Sequence, residues 1–252
     1  SAKNSTAVAL DDSSSAFQIA LAPASQRRSR GLERQSPSGL EGGEIVDLAK
    51  LMRLDAAGAL ERGTAIHAWF EQIEWLDDVQ PEDAALRAAA IKLGASPAHA
   101  ARWLPEFRAA LARGAVRDGL TRAAYLQTAP WTKDRDIRAE LAGQRPRLEI
   151  TRERRFAVRD RDAILSGSFD RLVLVYRGDE LVAAEVLDFK TDQVSDDRSE
   201  QLAERIAAYR PQMAAYRQAV ARLTGLPLSR IFARLLFVEP GVAQAIGPGD
   251  ND

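Results

Sequence analysis

Residues 181–192 read Leu-Val-Ala-Ala-Glu-Val-Leu-Asp-Phe-Lys-Thr-Asp, and they decide the fold. A short apolar run of this kind is typical of a buried β-strand. Alternate residues of a strand point to the same face, so Asp188 and Lys190 should project together where the strand emerges. Only five of the thirty-five basic residues are lysines. A lysine at position 190 is therefore less easily explained as an ordinary surface charge. Asp-x-Lys alone is still a weak motif, because a solvated strand end would also carry it.

The sequence around this stretch has the pattern of an antiparallel meander followed by a helix and a strand. Short apolar runs separated by turn residues predict strands over 149–159, 163–176 and 181–190. A helical pattern over 199–223 and a last apolar run over 230–238 follow. The second half of the chain therefore supplies the predicted sheet.

Helical periodicity prevails upstream of this sheet. Apolar spacing predicts one amphipathic helix in the second half of 43–78 and two more helices over 82–93 and 98–113. Ser96-Pro97 precedes the last of these, in the order expected of an N-cap and a first-turn proline. The element order predicts an α/β sandwich with a helical insertion at about 79–147.

Both ends of the chain lack sustained periodicity. Residues 1–43 are rich in Ser, Gly and Pro and carry a basic cluster at 27–30, so we expect a linker or the tail of a preceding domain. The apolar run 16–21 could instead be a strand or dock on the body. The Gly- and Asp-rich end, 241–252, is expected to be a flexible tail, which leaves 44–240 as the main domain. Because the first residue is Ser, we expect either a processed chain or a piece of a longer polypeptide, and we favour the piece.

The composition limits the kinds of site that are possible. The chain has no Cys and only two His, which excludes thiolate-bound zinc, Cys-bound iron–sulfur clusters and His-rich zinc centres. A metal would therefore rest mainly on oxygen ligands. No apolar run approaches the roughly 18 residues needed to cross a bilayer, so a soluble, cytoplasmic protein is expected. With a formal net charge of -1, any contact with nucleic acid must come from the local arrangement of basic residues.

Asp170 lies on the strand expected to pair with the one that ends at Lys190. It belongs to the segment Gly-Ser-Phe-Asp-Arg-Leu at 167–172, and antiparallel pairing would bring it next to Asp188. Two neighbouring carboxylates repel unless a cation joins them, and carboxylate oxygens suit magnesium or manganese. The alternative is that Asp170 pairs with a nearby arginine, Arg171 or Arg154, in a surface network.

His67 closes the segment Arg-Gly-Thr-Ala-Ile-His at 62–67, inside the first predicted helix. A lone His on a helix is more often a structural residue than a ligand. An acidic stripe follows it at near one-turn spacing, formed by Glu71, Glu74 and Asp78. A solvated helix face would explain that stripe equally well. His99 stands among alanines, and we expect it to be structural.

The long helix predicted after the meander contains Tyr-Arg-Pro-Gln-Met-Ala-Ala-Tyr at 209–216. Tyr209, Gln212 and Tyr216 share one face of that helix. Pro211 should begin a new helix or kink this one. The side chains on the shared face could be half-buried packing residues, or an amide and a phenol aimed at a nucleic-acid backbone beside a metal.

These four elements, in this order, resemble the signature of the RecB-like branch of the PD-(D/E)xK nucleases. The signature comprises Gly-Thr-x-x-His, Gly-x-x-Asp-Arg, Asp-Phe-Lys-Thr and Tyr-x-x-Gln-x-x-x-Tyr, and the resemblance covers about residues 58–238. Within the branch the likeness is to AddA or exonuclease V beta-subunit proteins, and 34–43 also resembles the segment before their nuclease domain. The resemblance implies a restriction-endonuclease-like α/β core, with a central mixed sheet flanked by helices. The insertion at 79–147 matches no family motif.

The resemblance implies that a magnesium or manganese ion is held by His67, Asp170, Asp188 and, through its main-chain carbonyl, Phe189. Besides the two carboxylates, three residues would act in catalysis: Lys190, Gln212 and Tyr216. Lys190 would orient the attacking water or stabilise charge, while Gln212 and Tyr216 would place the substrate and the catalytic groups. Glu153 resembles a Glu often found before the second strand of this sheet, and we do not assign it a direct catalytic role.

The same resemblance implies a substrate and partners. The expected function is a metal-dependent deoxyribonuclease acting on single-stranded DNA, as the C-terminal module of a UvrD/Rep-type helicase-nuclease in double-strand-break repair and recombination. The motor would lie in the same polypeptide, with a second helicase-nuclease subunit as a further partner and a nucleoid-associated location. Two alternatives remain open: a catalytically silent DNA-binding or scaffold domain, and a stand-alone restriction or phage-type nuclease. The chain has no Gly-x-x-x-x-Gly-Lys loop, so it should not hydrolyse ATP.

Overall fold

The computed structural model describes residues 33–40, 54–160, 163–191 and 199–247. These residues all belong to one compact unit of the chain, Glu33–Asp252. Most of the expected linker at 1–43 lies outside the described residues. This part includes the basic cluster at 27–30 and the apolar run at 16–21, for which the sequence leaves a strand or a docked segment open. None of the helices in the described part combines the length and apolar character that a membrane span requires.

The described strands form one six-stranded mixed sheet. In chain order they are β1 (Glu33–Gln35), β2 (Arg147–Asp160), β3 (Ala163–Arg177), β4 (Glu180–Lys190), β5 (Ile231–Phe237) and β6 (Val242–Ile246). β2, β3 and β4 form the predicted antiparallel meander, whereas β4 and β5 pair in parallel. A parallel pair needs a crossover connection, which the long helix after β4 provides.

Seven α-helices accompany the sheet in the described ranges. They are α1 (Leu54–Glu71), α2 (Asp83–Lys92), α3 (Pro97–Leu111), α4 (Gly114–Leu120), α5 (Arg122–Thr128), α6 (Arg135–Glu140) and α7 (Ser199–Thr224). Ser96 caps α3 by accepting a hydrogen bond from the amide of His99, as the sequence predicts. The whole arrangement confirms the predicted α/β fold, a central mixed sheet flanked by helices.

The two faces of the sheet are covered by different parts of the chain. β4 is buried from Val182 to Phe189, as expected of a strand that is covered on both faces. One face packs on α1 and the insertion, whose largest buried side chains include Trp69, Trp103, Phe107 and Tyr125. The other face packs on α7 through side chains such as Met213 and Val220. The sheet is therefore the middle layer of a sandwich.

The helices differ from the predictions in three respects. The insertion contains α4, α5 and α6 in addition to the two predicted helices, because helices of six or seven residues are too short to show a period. α1 ends at Glu71, so Glu74 and Asp78 lie beyond the helix and form no stripe on it. Pro211 lies inside α7, so the helix does not begin afresh there. Both Pro211 and Ala207 are exposed, a setting in which water can serve a carbonyl that a proline leaves without its helical N–H.

Two short strands lie in segments that the sequence assigns to a linker and a tail. β1 pairs in parallel with the first residues of β3, and β6 pairs antiparallel with β5. Strands of three and five residues carry too little alternation to be recognised. They add two strands to the four that the sequence predicts.

A charged pair lies within the layer between the sheet and the insertion. Arg234 of β5 donates to both carboxylate oxygens of Glu185 in β4, at 2.8 and 3.3 Å. The side chains are 6% and 0% exposed, and the ring of Tyr125 lies 5.7 Å from the Arg234 guanidinium. Removing one member of a buried pair leaves the other charge without compensation in a medium that solvates it poorly.

We expect Glu185→Ala to lower the free energy of unfolding by about 3–5 kcal/mol, the usual effect of breaking a buried ion pair. The matched control is Glu149→Ala, which removes a partner of Arg147 from a pair whose side chains are 50% and 53% exposed. An exposed pair contributes about 1 kcal/mol or less. Urea unfolding of both variants measures the difference, and equal losses would show that the buried pair has no special role.

Candidate metal centre and active site

A cleft of about 1320 Å³ opens where α1, the meander and α7 meet. Its lining includes all the residues predicted to bind metal or to act in catalysis: His67, Asp170, Asp188, Phe189, Lys190, Gln212 and Tyr216. His99 does not line it. The His99 ring instead lies 3.4 Å from Glu61 and 5.0 Å from the ring of Trp103, which suits the structural role expected for it.

The pairing of β3 with β4 brings the two aspartates to the floor of the cleft. Arg171 lies opposite Leu187, so the preceding residue of β3 faces the following residue of β4, Asp188. Asp170 Oδ2 accepts a hydrogen bond of 2.8 Å from the amide of Phe189. This contact fixes the Asp170 carboxylate across the end of β4.

Helix α1 carries His67 to the same floor. A Cβ on Gly63 would lie 3.2 Å from Thr191 Oγ1, so the glycine permits the close approach of α1 to the end of β4. His67 Nδ1 lies 3.3 Å from Asp170 Oδ2. The Gly-Thr-x-x-His segment thus provides both the contact with the sheet and the imidazole.

Arg171, next to Asp170 on β3, points away from the cleft. It is 1% exposed and donates to the main-chain carbonyls of Ile73, at 2.9 Å, and Glu74. These carbonyls follow the end of α1, so Arg171 ties α1 to β3. Among the described residues, Asp170 forms its ion pair with His67. The alternative in which Asp170 pairs with a nearby arginine is therefore not what the structure has.

Glu153 joins this cluster, although the sequence interpretation gave it no direct role. It lies on β2 with a φ of 44°, between residues paired with the two neighbours of Asp170. One ligand atom each from His67, Glu153 and Asp170 lie within 4.8 Å of one another. The signal that could have found it is the strand register, since the pairing of Arg152 with Arg171 and of Arg154 with Phe169 places position 153 opposite position 170.

Asp188 and Lys190 form a second group beside this cluster. Lys190 Nζ lies 3.0 Å from Asp188 Oδ2 as an ion pair, and it donates to Gln212 Oε1 at 2.8 Å. Apart from this ion pair, Asp188 Oδ2 is buried and has no hydrogen-bond partner in the described part of the chain. A buried carboxylate oxygen of this kind is a ligand that a hard cation could share with the lysine.

Helix α7 supplies the surroundings of the lysine. Gln212 Nε2 donates to the Tyr216 hydroxyl over 3.4 Å, so these two side chains support Lys190 as well as lining the cleft. Tyr209, which has no assigned role in the sequence prediction, places its ring 3.8 Å from Lys190 Nζ. Its signal was the shared helix face, since one turn separates it from Gln212.

The electrostatics of the floor are those of crowded acidic groups. Burial raises the pKa of Asp188 to about 7, and the charge of Asp170 adds to this effect while Lys190 opposes it. Burial and the same Asp170 charge also raise the pKa of Glu153. Burial alone would lower the pKa of His67, but its hydrogen bond with Asp170 and the nearby carboxylates raise that pKa to about 8. A bound cation would relieve this repulsion.

The donor set fits a divalent cation of the magnesium or manganese type. Ligand atoms of His67, Glu153 and Asp170 lie within 4.8 Å of one another, and Asp188 adds a buried carboxylate oxygen from the same cleft. Three carboxylates and one imidazole match the preference of these ions for oxygen-rich sites. Phe189 lines the cleft, and its main-chain carbonyl as a further ligand stays a prediction.

Comparison with known protein families gives a match over most of the chain. The family model described as the PD-(D/E)XK nuclease superfamily matches residues 46–249. This range includes α1, the insertion, β2 to β6 and α7, and hence every residue of the cluster described above. A search of curated proteins finds no match.

In the metal-free chain, Asp170→Asn should lower the pKa of His67 from its value of about 8. The substitution removes the charge that favours the imidazolium, while burial, which favours the neutral ring, remains. NMR titration of the His67 ring protons, assigned with His67→Gln, gives the two pKa values. An unchanged pKa would mean that the contact between His67 and Asp170 does not exist in solution.

Proposed function

We propose, from the premise that this chain belongs to the PD-(D/E)XK nuclease superfamily, that its cleft hydrolyses phosphodiester bonds of single-stranded DNA. Membership implies a metal-dependent nuclease that acts on DNA. The observation that supports this cleft as the catalytic centre is the convergence of two aspartates, a glutamate, a histidine and a lysine on its floor.

The carboxylates and the imidazole have the role of holding the cation. His67, Glu153, Asp170 and Asp188 would be its side-chain ligands, with the carbonyl of Phe189 as a further one. When bound, a divalent ion acidifies a water molecule and offsets phosphate charge. Magnesium and manganese are the two ions proposed, because both accept this mainly oxygen donor set.

Lys190 has the role of orienting the attacking water or stabilising charge on the phosphate. Its ammonium is held between Asp188 Oδ2 and Gln212 Oε1 and against the ring of Tyr209. A preorganised cation in a site that partly excludes water interacts more strongly with developing negative charge than one in bulk solvent. Gln212 and Tyr216 then act by placing Lys190 and the substrate.

The proposed context is a helicase-nuclease. The order of the four motifs supports it, because the same order characterises the RecB-like branch. The net charge of -1 gives the chain no broad positive field, so a motor in the same polypeptide would deliver the strand to the cleft. The function proposed on this basis is cleavage of unwound DNA in double-strand-break repair and recombination, with a second helicase-nuclease subunit as partner, in the cytoplasm at the nucleoid.

We expect Asp188→Ala and Lys190→Ala to lose several decades of cleavage rate while they retain the fold. Each decade corresponds to about 1.4 kcal/mol of transition-state stabilisation. Cleavage of a labelled single-stranded oligonucleotide in magnesium or manganese, together with far-UV circular dichroism, measures both properties. Removal of the cation with EDTA should abolish cleavage by the unmodified chain.

Matched controls for these variants lie on the surface. Asp179→Ala in the turn between β3 and β4 and Lys92→Ala at the end of α2 remove the same kinds of charge at exposed positions outside the cleft. Both should cleave as the unmodified chain does. Near-unmodified cleavage by Asp188→Ala or Lys190→Ala would instead contradict the catalytic assignment and favour a silent scaffold domain.

The chain by itself should cleave single-stranded ends slowly and with little sequence preference. Its affinity for DNA should be weak and salt-dependent, because few phosphates are neutralised by a chain of this charge. Fusion to the helicase motor should raise processivity and leave the metal requirement unchanged. Fluorescence anisotropy at moderate salt tests the binding, and tight, sequence-specific binding of duplex DNA would favour a restriction-type nuclease instead.

A further inference from the structure

We infer that Arg155 and Arg205 form a phosphate clamp on the walls of the cleft, which binds the backbone of a nucleic-acid strand beside the cleaved bond. The inference rests on the proposed nuclease function. Neither arginine belongs to the four sequence motifs. Both side chains are exposed, and both line the same cleft as the acidic cluster.

Arg155 lies on the wall formed by β2. It follows Glu153 by two residues and is paired with Ser168 of β3. The hydroxyl of Ser168 contacts Glu153 Oε2 at 3.4 Å, so the pair adjoins the acidic cluster directly. Arg155 therefore places a guanidinium on the cleft wall beside the carboxylate cluster.

Arg205 lies on the wall formed by α7. It precedes Tyr209 by one helical turn, so the two side chains share a face of the helix. The Tyr209 ring in turn lies 3.8 Å from the ammonium of Lys190. Arg205 thus continues the row of cleft residues beyond the lysine, on a different element from Arg155.

The other cationic side chains of the cleft are engaged with acceptors. Arg62 pairs with Glu106 and Glu239, and Lys190 with Asp188. Within the part of the chain that the structure describes, Arg155 and Arg205 take part in no recorded ion pair or side-chain hydrogen bond. These two arginines are therefore available to an anionic ligand without breaking an internal contact.

The acidic floor gives such a clamp a role. Carboxylates from Glu153, Asp170 and Asp188 would repel a phosphodiester, and a bound cation offsets that repulsion only at the reacting phosphate. A guanidinium presents donors in a planar fork that matches phosphate oxygens. Neighbouring strands are about 4.8 Å apart, so β2 and β4 are separated by roughly 10 Å. Arg155, two strands away from β4, would therefore contact a phosphate flanking the reacting one.

The test is single-turnover cleavage of a fluorescein-labelled single-stranded oligonucleotide by the 252-residue chain and two variants, Arg155→Gln and Arg205→Gln. Each substitution should raise the half-saturating protein concentration about tenfold, a loss typical of one charge-assisted contact, and leave the rate at saturation within about twofold. Anisotropy without divalent cation should give a slope of log Kd against log salt that is smaller by about 0.7 for each lost contact.

The control is Arg154→Gln, an exposed arginine next to Arg155 that does not line the cleft. It should match the unmodified chain in all three measurements. If Arg155→Gln and Arg205→Gln also match it, or if the unmodified chain shows no salt-dependent binding, the clamp is overturned. If the chain binds but does not cleave, and both variants weaken binding, the clamp stands and the proposed nuclease function fails.

Discussion

The hydrogen bond from the Phe189 amide to Asp170 Oδ2 is the contact on which the arrangement of the cleft depends. It joins β3 to β4 at the point where β4 leaves the buried layer. The same carboxylate oxygen lies beside His67, so one atom links two strands and a helix. Main-chain pairing of β3 with β4 places the two aspartates, and the side chains of α7 place the lysine beside them.

The second constraint is electrostatic. Three carboxylates share a floor that is largely removed from solvent, and burial and mutual repulsion raise the pKa of Asp188 and Glu153. Folding creates this repulsion, because an unfolded chain would keep the groups apart and hydrated. The site is therefore unfavourable by itself and becomes favourable with a cation, which is a common property of metal centres built from hard ligands.

The sheet could be predicted from the sequence because its strands are long and strongly patterned. The apolar run before Asp188, broken by Glu185, identifies β4 as a buried strand, and the turn residues before it identify β3 as its neighbour. The short helices α4, α5 and α6 could not be predicted, since six or seven residues show no period and their stability comes from packing. Within the site, motifs identified the residues of β3, β4 and α7. Glu153 and Tyr209 were missed as site residues because their contacts arise from strand register and helix packing.

The backbone of Glu153 carries a consequence for how the chain could evolve or be engineered. Its φ of 44° is a left-handed conformation that costs an ordinary residue about 1–2 kcal/mol, whereas glycine adopts it without penalty. A glycine at this position would relax the strand but remove a carboxylate from the cleft. A relaxed backbone and a complete acidic cluster therefore make opposing demands on this position.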